Sequence, residues 1–206
     1  MTEGTRIQLR QGEKLLIASS RNRSGAEPLM QEYFQAIGPI AGTYGFSPVG
    51  SLEVVEADAG NFKPNNFVGF YSFPSQEAEE RFENDPRWPA VRNRRPEIWS
   101  ELRISHYGLE EPINWHFHEG KIYEVRYEWF SGEDDDMETI AATEGTVISS
   151  FMQGVHEMLP TSLQGPTRIR IVEWSDLTTA KKARRGGPAY QRIDALYTRV
   201  SSDQAH

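Results

Sequence analysis

An internal repeat narrows the folds open to this chain before anything else does. Residues 9–25 read LRQGEKLLIASSRNRSG and residues 117–132 read FHEGKIYEVRYEWFSG. With one added residue in the first copy, Gly12 aligns with Gly120, Lys14 with Lys121, and Ser24-Gly25 with Ser131-Gly132. In both, an alternating segment meets a glycine turn and then a longer strand, the pattern of a β-hairpin. A second match lies downstream. The strand-like run Phe67–Phe73 leads through Pro74-Ser75 into QEAEERF, and Arg168–Trp174 leads through Ser175-Asp176 into LTTAKKARR. Ser75, and Ser175 or Asp176, are N-cap residue types. Pro89-Ala90-Val91 and Pro188-Ala189-Tyr190 follow these helices, and each copy closes with a strand, Leu102–Tyr107 or Ala195–Val200.

The expected order in the first copy is arm 5–10, strand 14–22, helix 27–43, strands 51–57 and 66–73, helix 75–84 and strand 101–107. In the second it is arm 113–118, strand 121–130, a long helix over about 135–158, strand 167–174, helix 176–184 and strand 194–200. The long helix rests on Ile140, Val147, Ile148, Phe151, Met152, Val155 and Met158 at helical spacing, which leaves the second copy without a clear second strand. The fold class is therefore α+β: two tandem ferredoxin-like βαββαβ units, residues 1–108 and 113–206, joined by GLEEP at 108–112. Their antiparallel sheets pack face to face as an α/β barrel, the second unit being degenerate.

The first copy also resembles a known family. EYFQAIGPIAGTYGFSPVGSLEVVE is similar to the first helix and second strand of the DUF1330 family. FVGFYSFPSQEAEERFENDPRWPAVRNRR is similar to its later segment, in which a strand ends in Phe-Pro-Ser, a helix follows, and a turn precedes an arginine-rich stretch. The resemblance covers roughly residues 14–107. It implies a ferredoxin-like fold pairing sheet against sheet, within a superfamily that includes cofactor-free monooxygenases, lactone isomerases, polyketide cyclases and haem enzymes. It implies no particular activity.

Composition bounds the partners. The 206 residues contain no cysteine, which removes disulfides, thiolate nucleophiles and cysteine-ligated metals. The segment MTEGTRIQLRQGEK lacks the apolar core of a signal peptide, and no apolar run approaches the roughly 18 residues of a membrane span. A cytoplasmic protein that does not engage membranes is expected. Formal net charge is −8, and the only basic runs are Arg92-Asn93-Arg94-Arg95 and Lys181-Lys182-Ala183-Arg184-Arg185, which argues against nucleic acid as a partner. The expected assembly is a monomer with an internal pseudo-dimer, or a homodimer.

A ferredoxin-like sheet carries helices on one face, and its other face needs a second sheet or water. Period-two alternation puts Tyr123, Val125, Tyr127 and Trp129 on one face of their strand and Glu124, Arg126 and Glu128 on the other. The aromatic face is expected against the helices and the charged face in the space between sheets. The same parity places Leu16 and Ala18 toward helices and Ile17, Ser19 and Arg21 toward the cavity. It likewise turns Leu102 and Ile104 to helices and Arg103, Ser105 and Tyr107 to the cavity, and it opposes Arg168, Arg170 and Val172 to Ile169 and Ile171. Arg21, Arg103, Glu124, Arg126 and Glu128 are thus the candidate ligand-binding residues of a polar cavity suited to an anion. Arg126 is expected to be partly buried and hydrogen-bonded to a carboxylate across the inter-sheet space. The bland alternative is an ion-pair ladder on a solvated face.

The candidate catalytic residues are His106, Tyr107, His116 and His118. A histidine can move protons near neutral pH and a tyrosine can donate to a developing oxyanion. His106 could equally be a satisfied core residue, and strand parity keeps His106 and Tyr107 from sharing a face. His116 and His118 share a face of their strand, where they could relay protons, hold a metal or sit exposed. Glu119, Glu128 or His106 could supply a third ligand, but no spacing fixes one, so no metal is expected. Glu124 and Glu128 lie about 13 Å apart along a strand, too far for a glycosidase pair. Arg94 and Arg95 could bind an anion or sit on a solvated turn, and AKKARRGG reads as a helix C-terminus closed by Gly186. GTYGFSPVG lacks the lysine and spacing of a phosphate loop, and there is no G-x-S-x-G elbow, so no cofactor is implied. Two functions follow as expectations. One is a cofactor-independent enzyme (isomerase, cyclase, lyase or monooxygenase type) acting on a small, anionic, oxygenated molecule between the sheets. The other is a non-catalytic small-molecule-binding or accessory protein of the same fold, favoured if the inter-sheet space is filled by side chains.

Overall fold

The computed structural model describes residues 4–64, 66–131, 144–183 and 190–201. In chain order these form β1 (Gly4–Leu9), β2 (Lys14–Asn22), α1 (Glu27–Thr43), β3 (Ser47–Asp58), β4 (Phe67–Phe73), α2 (Gln76–Glu83), α3 (Trp88–Arg92), α4 (Arg95–Ile98), β5 (Trp99–Gly108), β6 (Ile113–His118), β7 (Ile122–Phe130), β8 (Thr146–Met152), β9 (Val155–Leu159), β10 (Arg168–Trp174), α5 (Leu177–Lys182) and β11 (Tyr190–Arg199). The predicted caps are in place: Ser75 accepts from the Ala78 N–H at 3.1 Å and Asp176 from that of Thr179 at 2.8 Å.

Nine strands form one antiparallel sheet in the order β8-β10-β7-β11-β3-β4-β2-β5-β9. Within it β2, β3, β4 and β5 stand as β3-β4-β2-β5, and β7, β8, β10 and β11 as β8-β10-β7-β11. β3 serves two partners: Ser47–Glu53 pairs with β4, and Glu53–Asp58 pairs with β11. β8 and β9 stand at opposite ends of the order yet are separated only by Gln153 and Gly154, so the sheet closes on itself.

The two expected arms, β1 and β6, pair with each other as a separate ribbon, Ile7 opposite Trp115, instead of each joining the strand that follows it. The described part of the expected helix 135–158 is strand. The apolar residues that suggested helical spacing straddle a bulge opposite Ile171 and Val172. The bulge lets Ile148 and Phe151 join the core cluster of the closed sheet while Val147 joins that of α5. A one-residue insertion breaks period two and leaves a pattern that mimics 3.6. Ile140, Arg184, Arg185, Gly186 and the Pro188-Ala189 turn lie outside the described residues.

The interior is packed, not open. Leu15 and Ile17 from β2, Val68 and Phe70 from β4, and Ile169 and Ile171 from β10 meet Tyr123, Val125, Tyr127 and Trp129 of β7. The ribbon adds Ile7, Trp115 and Phe117, with Phe117 stacked on Phe70 at 5.9 Å and edge-on to Tyr123 at 4.8 Å. Gly50 permits this approach, since a Cβ there would lie 2.8 Å from Ile7.

The aromatic face of β7 therefore looks inward, opposite to expectation. Glu124, Arg126 and Glu128 share the other face with Val172, Trp174 and Ala195, on the side covered by Ala180 of α5. The reason is the filling requirement: a closed sheet needs large apolar side chains inside, and β7 offers them on one face only. In β2 and β5 the expected parity holds, with Leu16, Leu102 and Ile104 in the helix-side cluster and Ile17 and Tyr107 inside.

Polar contacts also cross the interior. Ser19 Oγ and Tyr127 OH lie 3.0 Å apart, and Arg103 Nη1 donates to Asp194 at 2.7 Å between β5 and β11, which are not neighbours in the sheet. Arg103 is further held by Glu101 at 2.6 Å and by the ring of Phe62 at 3.8 Å. Removing one member of a buried pair strands the other charge. Asp194→Ala should cost about 3 kcal/mol in urea unfolding; an unchanged midpoint would show that the pair does not brace the closed sheet.

Candidate functional site

The sequence-predicted residues separate into four places. Arg103 lies in the packed interior, and Arg21 is exposed at its margin, donating to the Asn61 carbonyl at 3.1 Å. Tyr107 is also interior, against Phe151 at 4.8 Å, and burial raises its pKa.

Glu124, Arg126 and Glu128 are buried on the helix side. Arg126 Nε lies 3.3 Å from Glu128, Trp174 donates to Glu124 at 3.1 Å, and Arg168 is bonded to Glu128. Burial pushes the Glu128 carboxyl up against the lowering pull of Arg126, Arg170 and Arg168. Arg126 is thus buried with carboxylates, as expected, but on its own strand and not across the inter-sheet space.

His116 and His118 stand on the ribbon with ring centroids 4.0 Å apart. Burial and the charges of His118 and Arg6 lower the His116 pKa. No cluster of three or more metal-ligating side chains occurs among the described residues.

His106 belongs to a different setting, a cavity of about 950 Å³ between α1 and the outer face of β2, β4 and β5. This size falls within the range of small-molecule sites. The room has a sequence origin. Ser51, Gly69, Ala18 and Ile104 are consecutive cross-strand partners, so the centre of the floor carries three small residues. A Cβ on Gly69 would sit 2.7 Å from the Tyr71 hydroxyl, so glycine lets Tyr71 lie flat over it. Helix α1 packs mainly on α3 and α4, with Tyr33 edge-on to Trp99 at 5.0 Å, and so roofs the space instead of filling it. Phe34 and Phe67 line the cavity while about half exposed.

One end of this apolar cavity is polar. His106 Nδ1 lies 2.6 Å from Glu79 Oε1, and Lys14 holds the other oxygen of that carboxyl at 3.2 Å. Burial pushes the Glu79 pKa up, but the His106 hydrogen bond and the charges of His106 and Lys14 outweigh it, and the net shift is downward. An ionised carboxylate only accepts, so Nδ1 carries a proton and Nε2 is the ring nitrogen left to meet a ligand. Nε2 is buried, has no hydrogen-bond partner among the described residues, and lies 3.8 Å from Glu157 Oε1. Glu157 is held by Arg95 at 2.5 Å, and Arg95 in turn donates to Tyr33 OH at 2.9 Å and stacks on Trp88 at 4.8 Å. Trp88 donates to Glu83, whose pKa is raised by burial and by the neighbouring Glu157 charge.

Of the four candidate catalytic residues only His106 lines this cavity. Glu79, Glu157 and Tyr33 were not singled out from the sequence. Glu157 was hidden because its strand read as helix; Glu79 looked like one more charge on a polar helix. Arg95 carried a usable signal in the arginine-rich turn, whereas its neighbour Arg94 pairs with Glu32 at 2.7 Å instead.

No protein-family model matches the chain, so the DUF1330 resemblance rests on the quoted runs alone. No curated protein matches it either. Among solved structures it is similar to an anthrone oxidase-like protein, with 11% identity over 94% of each chain and a TM-score of 0.49. It is also similar to a provisionally assigned monooxygenase from Fusobacterium nucleatum, with 9% identity over 93% of this chain and 94% of that one and a TM-score of 0.40. A third is a dimeric ferredoxin-like protein of unknown function from Bacteroides fragilis, with 14% identity over 53% of this chain and all of that one and a TM-score of 0.29. At these identities the likeness concerns fold, which is read here from strand order and register. No helix among the described residues is long and apolar enough to cross a membrane.

A carboxyl whose folded pKa lies below its unfolded value stabilises the fold fully above the unfolded value, and that contribution is lost as pH falls through the folded one. Between about pH 6 and pH 3.5, wild-type protein should therefore lose more stability than Glu79→Gln. Equal losses in chemical unfolding at the two pH values would remove the ionised Glu79 from the account.

Proposed function

We propose that the protein is a small-molecule enzyme working in the cavity under α1, with His106 as the group that moves a proton. The observation that carries this reading is the buried imidazole itself, fixed by Glu79 through Nδ1 and left without a partner at Nε2, at the polar end of an apolar cavity. Such a ring can accept a proton from carbon next to a carbonyl and return it at another carbon, which is an isomerisation; if the enolate first adds to a second carbonyl of the same molecule, the proton returns to the new alkoxide and the result is a cyclisation, and both balance without a cofactor. Glu79 would steady the imidazolium that forms. The charges at this end are already matched, Lys14 with Glu79 and Arg95 with Glu157. That favours an uncharged, oxygen-bearing, largely apolar substrate over the anion expected from the sequence, because an added charge would lack a partner.

A second reading, non-catalytic binding, draws on the packed inter-sheet space, the condition expected to favour it, and on the wall of the cavity under α1, where Leu16, Phe46, Tyr71, Phe73 and Ile104 outnumber the polar groups. The two separate in deuterium oxide. With 2-tetralone as a probe bicyclic ketone, NMR should show protein-catalysed exchange of the α-protons, reduced by about 100-fold or more in His106→Gln. Binding without exchange would leave only the binding role; neither binding nor exchange of this probe would count against the cavity as a site for such ketones.

We further propose that residues 1–108 and 113–206 are tandem ferredoxin-like units whose sheets together make the α/β barrel. What supports this is the shared strand order of the two halves and the reciprocal pairing of β3 with β11 and of β9 with β5. The strands that would pair between subunits of a dimer are thereby paired within one chain. Light scattering should return the mass of a single chain, and a stable dimer would contradict this arrangement.

A further inference from the structure

A second cavity, of about 550 Å³, lies behind the polar end of the first and shares Arg95, Leu102 and Glu157 with it. Its charged lining is uneven: Arg92 and Arg95 both reach Glu157, at 3.3 and 2.5 Å, so two guanidinium groups share one carboxylate. Arg95 is committed on several sides, with only 13% of its side chain exposed, whereas Arg92 keeps 48% exposed. A planar guanidinium with free donors at a cavity wall matches a carboxylate in paired geometry. Asn93 and Thr161 add neutral polar groups to the same lining, and Met158, Leu159 and Leu163 supply an apolar side.

The wall is fixed in place. His156 Nδ1 lies 2.8 Å from Ser105 Oγ, and the ring packs so closely on Gly165 that a Cβ there would come within 2.4 Å of it. Burial and the charge of His106 lower the His156 pKa, with a Pro166 backbone bond opposing, so this ring adds little charge near neutral pH. The charged side chains of the lining are therefore Arg92, Arg95 and Glu157, two cations to one carboxylate, with Glu83 of the first cavity the nearest further carboxyl and its pKa raised by burial.

We propose that this second cavity binds a small amphipathic anion, a carboxylate on a short apolar chain, with its head on Arg92 and its tail against Leu159 and Leu163. The site is separate from the one in which His106 would act, and it does not depend on that reaction. Because the ligand would compete with Glu157 for Arg92, occupancy should be felt at the carboxylate that faces His106.

Hexanoate is a suitable probe, titrated by calorimetry into the whole protein, with 1-hexanol and inorganic phosphate as comparisons. Hexanoate should bind saturably and more tightly than either comparison. Arg92→Ala should weaken hexanoate by about tenfold or more while leaving 1-hexanol unchanged, since only the carboxylate loses charge-assisted hydrogen bonds. Arg92→Lys should fall between. Leu163→Trp, which fills the space, should remove binding, and Ala18→Phe, which narrows the first cavity, should not. No saturable hexanoate binding, tighter binding of phosphate, binding indifferent to Arg92, or binding lost only in Ala18→Phe would each overturn the proposal.

Discussion

The architecture depends on the pairing of β9 with β5. The chain leaves β10 along β8, turns through Gln153 and Gly154, and reaches the opposite end of the same sheet. Gln153 takes a positive φ of 55°, and a Cβ on Gly154 would come within 2.5 Å of the Tyr107 ring. This crossing needs glycine for close approach, not for an unusual backbone angle. Closure gives every strand of the nine an inside and an outside. β8 and β9 keep one strand partner each, and the interior they help enclose must be filled to solid density. Tyr123, Val125, Tyr127 and Trp129 do much of that filling, and the ribbon of β1 and β6 supplies the rest.

Closure also decides where the charges go. Once the aromatic face of β7 is inside, Glu124, Arg126 and Glu128 must lie under the helix layer, where burial without partners would be costly. Arg168 of β10 stands opposite Glu128, and Arg170, which stands opposite Arg126, reaches Glu128 diagonally at 3.7 Å, so Glu128 is the carboxylate on which the arginines converge. Arg103 and Asp194 apply the same principle inside, tying β5 to β11. Buried pairs of this kind contribute little net stability over an apolar filling, yet each resists any register shift that would separate its members.

Most of the fold was legible because local patterns carried it. The glycine turns, the caps at Ser75 and Asp176, and period-two alternation placed most elements within a few residues. What failed was non-local. Period two separates Glu124 from Tyr123 but does not say which side meets the helices when both sides are buried. The β8 bulge imitated helical spacing, and with β8 and β9 read as helix, Glu157 had no strand to deliver it to the site. His106 was visible as a strand-end histidine on the Leu102–Ile104 face. Its partners come from α2, α4 and β9, far apart in sequence, and no spacing links them.

The site inherits its geometry from the same closure. β9 lies beside β5 with Glu157 opposite Ile104 and Val155 opposite His106. That register sets Glu157 on the cavity side, between His106 and Arg95, and it makes the wall between the two cavities. Helix α1 and the small residues of the floor provide volume, whereas β9 provides the charge that organises the polar end. The most direct measurement is an NMR search for cross-strand contacts between β9 and β5. The account predicts nuclear Overhauser contacts joining Glu157 to Ile104 and Val155 to His106 in the same molecules that show Phe151 against Ile169. A β9 with no contact to β5, while β8 still pairs with β10, would mean that the sheet is open and that Glu157 is not part of the site.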